Sequence, residues 1–550
     1  MYTIKYKFAK CPPFRGLHLE LGTFILLRAA GSMALTVCFA ACAQQPEPRV
    51  VHSNGNPILS DGSFYSADPA PIVVGDTLYI LAGRDEAPPD VNDFIMKEWQ
   101  LFATRDVASK RWLHYPGFLR PDQVFAWAKP GRAYAGQIVQ GPDRRFYFYA
   151  PVEEAKHQHD DPFVIGVAAS DSVLGPWKDA HPDGPIVSQS IPEPNHMQNI
   201  DPTVLVDNDG RVYLYWGTFG QLRGIELERD MVTPKGKEIH VTSLPGFFEA
   251  ARIFRRKDAY YLLYADNQAG PHSPCTEAVY HACIAYGTAT SPLGPWTYGG
   301  VVLDVVSSTT SHAGVVEFKG KWYIVYHTAD AKGGGHFRRS VAIDRVEWDD
   351  SITPARMLKV VQTHAPRPPA APTRNIASAA RASASNEPVP VQYWIKALND
   401  GIVRSNPLPP DMWGSWTPHN PPLQWIQYEW ARPVTLTESR MMFWADHPAG
   451  ASVGVAPPAS WHLEYWKDRQ WNKVAVSGIY PTPVDSFADV NFNPITTLCL
   501  RAVFDASGDG KRYAGVAVQE WEALAPTVLA PSALRDMAAA TEATPGCPAS

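Results

Sequence analysis

The chain has 550 residues, 49 basic against 55 acidic, for a net charge of −6. That length exceeds one ordinary domain and can bury more than one core, and the near balance of charge lacks the basic footprint of a nucleic-acid binder. Aromatic residues make up 11%, with 18 Trp and 23 Tyr, which suits β structure and flat sugar-stacking surfaces equally well.

The N-terminus carries Lys5, Lys7, Lys10 and Arg15, then the small apolar run from Ala29 to Ala41, and turns polar at Gln44. This pattern predicts an export leader over residues 1–42, followed by a linker over 43–55. Phe39-Ala40-Ala41-Cys42 resembles a bacterial lipobox, which would make Cys42 a lipid anchor; Ala41-Cys42-Ala43 also fits ordinary signal cleavage. No later segment reaches the roughly 18 apolar residues a membrane span needs. The expected location is therefore periplasmic, outer-membrane-tethered or extracellular in a bacterium.

Seven cysteines fit an exported protein without making it a disulfide scaffold. Cys275 and Cys283 flank a loop-like insertion, PCTEAVYHAC, that either a disulfide closes or two free thiols bracket. His272 and His281 lie nearby as candidate metal ligands. Cys499 reads as a buried strand residue.

A strand, turn, strand cassette with an aromatic second strand recurs along the chain. It appears as TLYILAG near Tyr79, RFYFYAP near Tyr147, RVYLYWG near Tyr213, AYYLLYA near Tyr261 and KWYIVYH near Tyr323. Turn residues separate the paired strands: Gly75-Asp76, Gly141-Pro142-Asp143, Asn208-Asp209-Gly210, Lys257-Asp258 and Lys319-Gly320. Intervals of roughly 50 to 65 residues allow four strands plus loops per unit, the content of a propeller blade. Five units predict five blades over residues 56–363. Gly175-Pro176-Trp177 and Gly294-Pro295-Trp296 echo one another as outer turns of two blades, with each Trp expected to pack between blades.

After a Pro/Ala-rich linker at 364–374, a second β-rich segment spans 375–525. Alternation in WIQYEW (Trp425 to Trp430) and WHLEYW (Trp461 to Trp466) predicts strands of a sandwich. The Ala/Pro/Thr-rich tail, 526–550, is expected to be disordered. The fold class is thus all-β, a five-bladed β-propeller followed by a β-sandwich of jelly-roll type.

Three acidic residues occupy matching points of the repeat, each ahead of an apolar strand, a turn and an aromatic strand: Asp68 in SADPAPIVVGDTLYILAG, Asp201 in NIDPTVLVDNDGRVYLYWG, and Glu249 in FFEAARIFRRKDAYYLLYA. The same end of every blade faces one axis, so the three carboxyl groups should converge. Asp68 and Asp201 each precede Pro, which biases them toward extended backbone. Glu249 follows Phe247-Phe248, and an apolar neighbourhood keeps a carboxyl protonated near neutral pH. Glycosidic hydrolysis needs one carboxylic acid for the leaving oxygen and one carboxylate to activate water or attack carbon; a third acidic group can orient the acid.

At these residues the chain resembles glycoside hydrolase family 43, five-bladed propeller enzymes that invert anomeric configuration, over about Asn56 to Thr363. The resemblance implies that Asp68, in Ala67-Asp68-Pro69, is the general base and Glu249 the general acid. It further implies that Asp201, in Ile200-Asp201-Pro202, sets the acid's pKa and orientation. Ala250-Ala251-Arg252 follows the acid where many relatives carry Gly/Ala-Pro. His312, in SSTTSHAGVVEF, resembles the axial His that helps hold a central cation, usually calcium, through water. Arg339, in HFRRSVAIDR, resembles a basic residue lining the sugar pocket, with Arg338 as the neighbouring alternative. On the residues alone, His312 reads as a core His and Arg339 as a surface Arg. Trp127, Tyr134 and Gln137, in FAWAKPGRAYAGQIVQGPD, are candidate sugar contacts beside an equal packing reading.

The C-terminal segment resembles discoidin-type (factor 5/8 C-terminal) domains through NIASAARASAS, LNDG, Trp413 to Trp416, WIQYEW and QEWEA. Such domains also serve as carbohydrate-binding modules. Asp400 is then a candidate ligand of a structural calcium, or simply the Asp of an Asp-Gly turn. No cofactor is needed for the chemistry itself. The implied activity is release of arabinofuranose or xylose units from plant cell-wall polysaccharide or oligosaccharide, as an α-L-arabinofuranosidase or β-xylosidase. The alternative is a carbohydrate-binding propeller lipoprotein without turnover.

Overall fold

A computed structural model describes residues 47–156, 160–366, 374–408, 410–476, 478–484, 486–526 and 547–548. The leader, the lipobox Cys42, most of the Pro/Ala-rich linker at 364–374 and nearly all of the tail lie outside the described residues.

Five antiparallel sheets follow one another in chain order. Blade 1 comprises Arg49–His52, Ala67–Val74, Thr77–Asp85, Met96–Thr104 and Arg111–Leu119, the Arg49–His52 strand pairing on its outer edge. Blade 2 holds Gln137–Gln140, Phe146–Glu153, Phe163–Ser170 and Lys178–Asp179. Blade 3 holds Thr203–Val206, Val212–Trp216, Leu222–Leu227 and Pro234–Val241. Blade 4 holds Phe247–Arg256, Ala259–Asp266, Cys283–Ala289 and Thr297–Leu303, and blade 5 holds Gly314–Phe318, Lys321–Thr328 and Ser340–Val346. The first strand of each blade touches the first strand of the next, and that of blade 5 touches that of blade 1. The ring is therefore closed around an axis lined by first strands.

The aromatic cassettes are the second strands, and their composition follows from burial on both faces. Every residue of Val212–Trp216 is buried, because neighbouring blades cover each side. Burying a side chain of 150–250 Å² contributes roughly 4–6 kcal/mol, provided its polar tip finds a partner. Tyr149 donates to the Met231 carbonyl at 2.6 Å and Tyr215 to the Pro292 carbonyl at 2.8 Å. Trp296 donates its indole N–H to the Tyr215 hydroxyl at 3.1 Å, so this Gly-Pro-Trp turn of blade 4 locks onto blade 3 as expected.

Segments flanking the propeller close its last blade. The Ile58 amide donates to the Val341 carbonyl at 2.8 Å, and the Asn56 side chain pairs with both backbone groups of Ile343 at 2.9 Å. The Thr363 hydroxyl donates to Asp344 at 2.6 Å, and the Ala365 amide donates to the Asn56 carbonyl at 2.7 Å.

The C-terminal region wraps seven strands about a core that includes Trp413, Tyr428, Trp430, Phe504 and Trp521. Its strands hydrogen-bond into one continuous sheet because Leu423–Trp444 and Ala488–Asp505 are long enough to serve both faces. Leu423–Trp444 shifts register between Glu429 and Val434 and again between Leu436 and Glu438, which lets it bend around the core. Cys499 is buried in this sheet and is disulfide-bonded to Cys547.

Cys275 and Cys283 also form a disulfide, closing the blade 4 insertion. That insertion leans on the C-terminal region: the Val279 amide donates to the Val391 carbonyl at 2.7 Å, and the His281 ring lies 3.6 Å from that of Trp394. Asp411 receives Arg404 at 2.6 Å and His336 at 3.0 Å. His281 is thus buried at the junction while His272 is exposed, and the two do not form a metal site together.

Candidate active site

Asp68, Asp201 and Glu249 stand at the starts of the first strands of blades 1, 3 and 4. Their backbone corrects the expectation drawn from the following prolines. Asp68 and Asp201 adopt φ of 55° and 56°, in the left-handed region, and Ala250 after the acid adopts 61°. Such positions cost of order 1–3 kcal/mol each and persist where the surroundings over-determine them; short polar Asp tolerates them best. Pairing breaks register between Ala67 and Ala70 and between Glu249 and Arg252, so the strand ends are bulged.

Asp68 is held from several sides. Arg339 donates to its Oδ1 at 3.0 Å while gripping Asp85 through Nε at 2.9 Å and Nη2 at 3.0 Å. The Thr310 hydroxyl accepts from the same Arg339 at 3.0 Å, and the Phe94 ring lies 4.8 Å from the guanidinium. The Asp68 amide donates to His327 Nδ1 at 3.1 Å, and His327 Nε2 meets the Thr310 carbonyl at 2.9 Å. That pairing makes Nδ1 the acceptor and Nε2 the donor. Burial pushes His327 down to about 3, so it stays neutral. Burial also raises the Asp68 carboxyl, while Arg339 and then Arg252 oppose the shift.

Glu249 has different surroundings. Burial pushes its carboxyl up to about 7; a hydrogen bond from Thr218 opposes that shift and the Asp68 charge adds to it. Asp201 is pushed well upward by burial, then by the charges of Glu249 and Asp68. Its Oδ2 accepts the Ala250 amide at 3.0 Å, which ties it to the backbone beside Glu249. Three mutually repelling carboxyls in one buried site cannot all ionise at neutral pH.

His312 is 3% exposed, with Nδ1 at 3.7 Å from Asp68 Oδ1 and Nε2 at 3.5 Å from Arg252 Nη2. Arg339, rather than Arg338, reaches the carboxyl; Arg338 turns to the Gly333 carbonyl at 2.7 Å. Every polar arm of Arg339 has a protein partner, and the carboxylates of Asp68 and Asp85 are among them.

The second-blade candidates separate. Tyr134 belongs to an aromatic wall with Phe94, Phe163 and Phe337 beside Arg339. Gln137 is a latch between blades, its Oε1 accepting the Val204 amide at 2.6 Å. Trp127 packs on Phe125 and donates to Asp179 at 2.9 Å. These last two are spoken for by packing: Trp127 lies against the outer edge of blade 2 before the chain reaches the wall, and Gln137 begins the first strand of that blade.

Sequence reasoning missed Asp85, His327, Phe94, Thr218 and Arg252. Asp85 closes the second strand of blade 1 and His327 sits late in the second strand of blade 5, so the end of the aromatic cassette was the available signal. A further pair, Phe219 and Phe248, stacks edge to face at 5.5 Å next to Thr218 and Glu249, with Phe219 66% exposed.

The arrangement offers a carboxyl raised to about 7, a second carboxyl paired with an arginine and an aromatic wall beside that arginine, which is equipment suited to glycosidic hydrolysis. A model of glycosyl hydrolases family 43 matches residues 55–354. A xylosidase/arabinosidase of Bacteroides ovatus is 29% identical over 52% of this chain and 92% of its own length. A β-xylosidase of Xylanibacter ruminicola is 25% identical over 52% and 95%, and an arabinoxylan arabinofuranohydrolase of Bacillus subtilis is 28% identical over 53% and 62%. With its five-bladed ring and that match over more than half its length, the chain belongs to glycosyl hydrolase family 43 and is a glycoside hydrolase.

Proposed function

We propose that this protein is an exported, inverting glycosidase releasing arabinofuranose or xylose units from plant cell-wall polysaccharide or oligosaccharide. One observation carries the reading: the environments of Glu249 and Asp68 divide the roles of acid and base. Glu249, pushed up to about 7 by burial, keeps its proton near neutrality and gives it to the glycosidic oxygen. Asp68, paired to Arg339, takes a proton from the water that attacks the anomeric carbon. The new bond forms on the face opposite the departing oxygen, and configuration inverts. Asp201 orients the acid through the Ala250 amide. Phe219, exposed beside the acid, is placed to stack on the leaving-group sugar.

The pentose assignment is supported by the names of the relatives. Export is supported by the leader pattern and by two disulfides, which persist in oxidising compartments. The C-terminal region is read as a discoidin-type carbohydrate-binding module, with Trp416 and Tyr513 lining a cleft of about 290 Å³. A structural calcium there would be held by Asp400 and Glu520 and would have to displace the Arg404 guanidinium, which pairs with Asp400 at 2.8 Å.

Aryl α-L-arabinofuranoside, β-D-xyloside and galactofuranoside substrates test the reading. Turnover of at least one of the first two, abolished in Glu249→Gln, is expected; no turnover of either pentoside overturns it.

A further inference from the structure

Arg252 lies on the first strand of blade 4, three residues after the acid, and is 4% exposed. A buried guanidinium normally has its donors satisfied. Here Nε and Nη1 have no hydrogen-bond partner among the described residues, and Nη2 stands 3.5 Å from His312 Nε2. What surrounds it is charge: Asp201 and then Asp68 hold its proton on against burial. Arg252 also acts on the base, opposing the rise in the Asp68 carboxyl.

The cation implied for this axis does not fit these residues. His312 offers Nδ1 toward Asp68 and Nε2 toward Arg252. A divalent ion reached from Nε2, directly or through water, would sit against a fixed positive charge in a low-dielectric interior, where like charges repel most strongly. A cation over the other nitrogen would displace the contact to the base.

We propose that Arg252 supplies, as part of the chain, the axial positive charge that a divalent cation would otherwise bring, holding Asp68 and Asp201 in place for a metal-independent reaction. Arg252 is then a positioning residue, acting on substrate only through the carboxyls and His312. The inference rests on Asp68 as base and Glu249 as acid. The register shift between Glu249 and Arg252 re-aims this end of the strand and lets the Arg252 side chain reach His312.

Three measurements on the full chain test it. First, the metal-stripped Asp400→Asn enzyme, which lacks the C-terminal candidate site, should keep the kcat and KM it shows on an aryl pentoside before stripping, and added calcium should not change them; loss on chelation that calcium restores overturns the proposal. Second, calcium is titrated calorimetrically into the Asp400→Asn variant, which removes the C-terminal candidate site. Binding that His312→Ala then abolishes overturns the proposal, and the absence of His312-dependent binding supports it. This arm reads without turnover, so it decides even if the glycosidase reading fails. Third, Arg252→Met should lower kcat more than it alters KM and move the acidic limb of kcat/KM upward by about 1–3 pH units, the effect of removing an opposite charge near an Asp. Arg252→Lys should restore much of both. A folded Arg252→Met enzyme with the wild-type profile contradicts the proposal; if that variant does not fold, Arg252→Lys and the chelation arm decide.

Discussion

Thr218 donates its hydroxyl to Glu249 Oε2 at 2.8 Å, so the acid is held by a group that favours its ionised form. Burial still wins, leaving the carboxyl at about 7. The acid must be protonated to act, so kcat/KM should fall as pH rises through about 7. Thr218→Val removes the opposing hydrogen bond, and the alkaline limb should move up by about one pH unit. A pH profile of the variant checks this; an unmoved or lowered limb would contradict the assignment.

Glu249→Gln and Asp68→Asn should each lower kcat about 10²–10⁴-fold, the usual loss for a general acid or base. Both replacements are close to isosteric, so thermal melting should confirm intact folding. Near-normal turnover in either would remove that residue from its role.

Asp201 should separate into two functions. Asp201→Asn keeps an oxygen for the Ala250 amide, and because burial and the Glu249 charge push the Asp201 carboxyl well upward, the variant's alkaline limb should stay close to that of wild type. Asp201→Ala also loses the amide partner and should cost a further tenfold or so in kcat. Equal kinetics in the two variants would show that the hydrogen bond to Ala250 does nothing for the acid.

The carboxyls were legible in the sequence because repetition fixed their register: three blades carry an acid at the same point, so one geometric inference served for all. The partners were not. Asp85 meets Arg339 across 254 residues, and Arg252 faces His312 across 60, relations set by ring closure rather than local pattern. Pro69 and Pro202 pointed to extended Asp residues, but the bulged strand ends override that local preference. Gln137 looked like a sugar contact for the same reason, since a buried amide latching two blades and a pocket amide look alike before the blades are closed.

Thr363 and Ala365 bond back to Asp344 and Asn56, so a propeller ending at Thr363 would lose part of its own closure. A chain ending at Pro366 should fold and turn over small aryl glycosides, with any loss confined to polymer. The junction at Asp411, His281 and His336 is the risk: a truncation that is soluble only when the C-terminal region is supplied would show that the two share a core.

In the proposed mechanism water, activated by Asp68, attacks opposite a leaving group protonated by Glu249. Proton NMR of the first-formed sugar, recorded before mutarotation, tests this directly. The product's anomeric configuration should be opposite to that of the substrate. Retained configuration, or transfer of the sugar to an added alcohol, would mean that one carboxylate is a nucleophile.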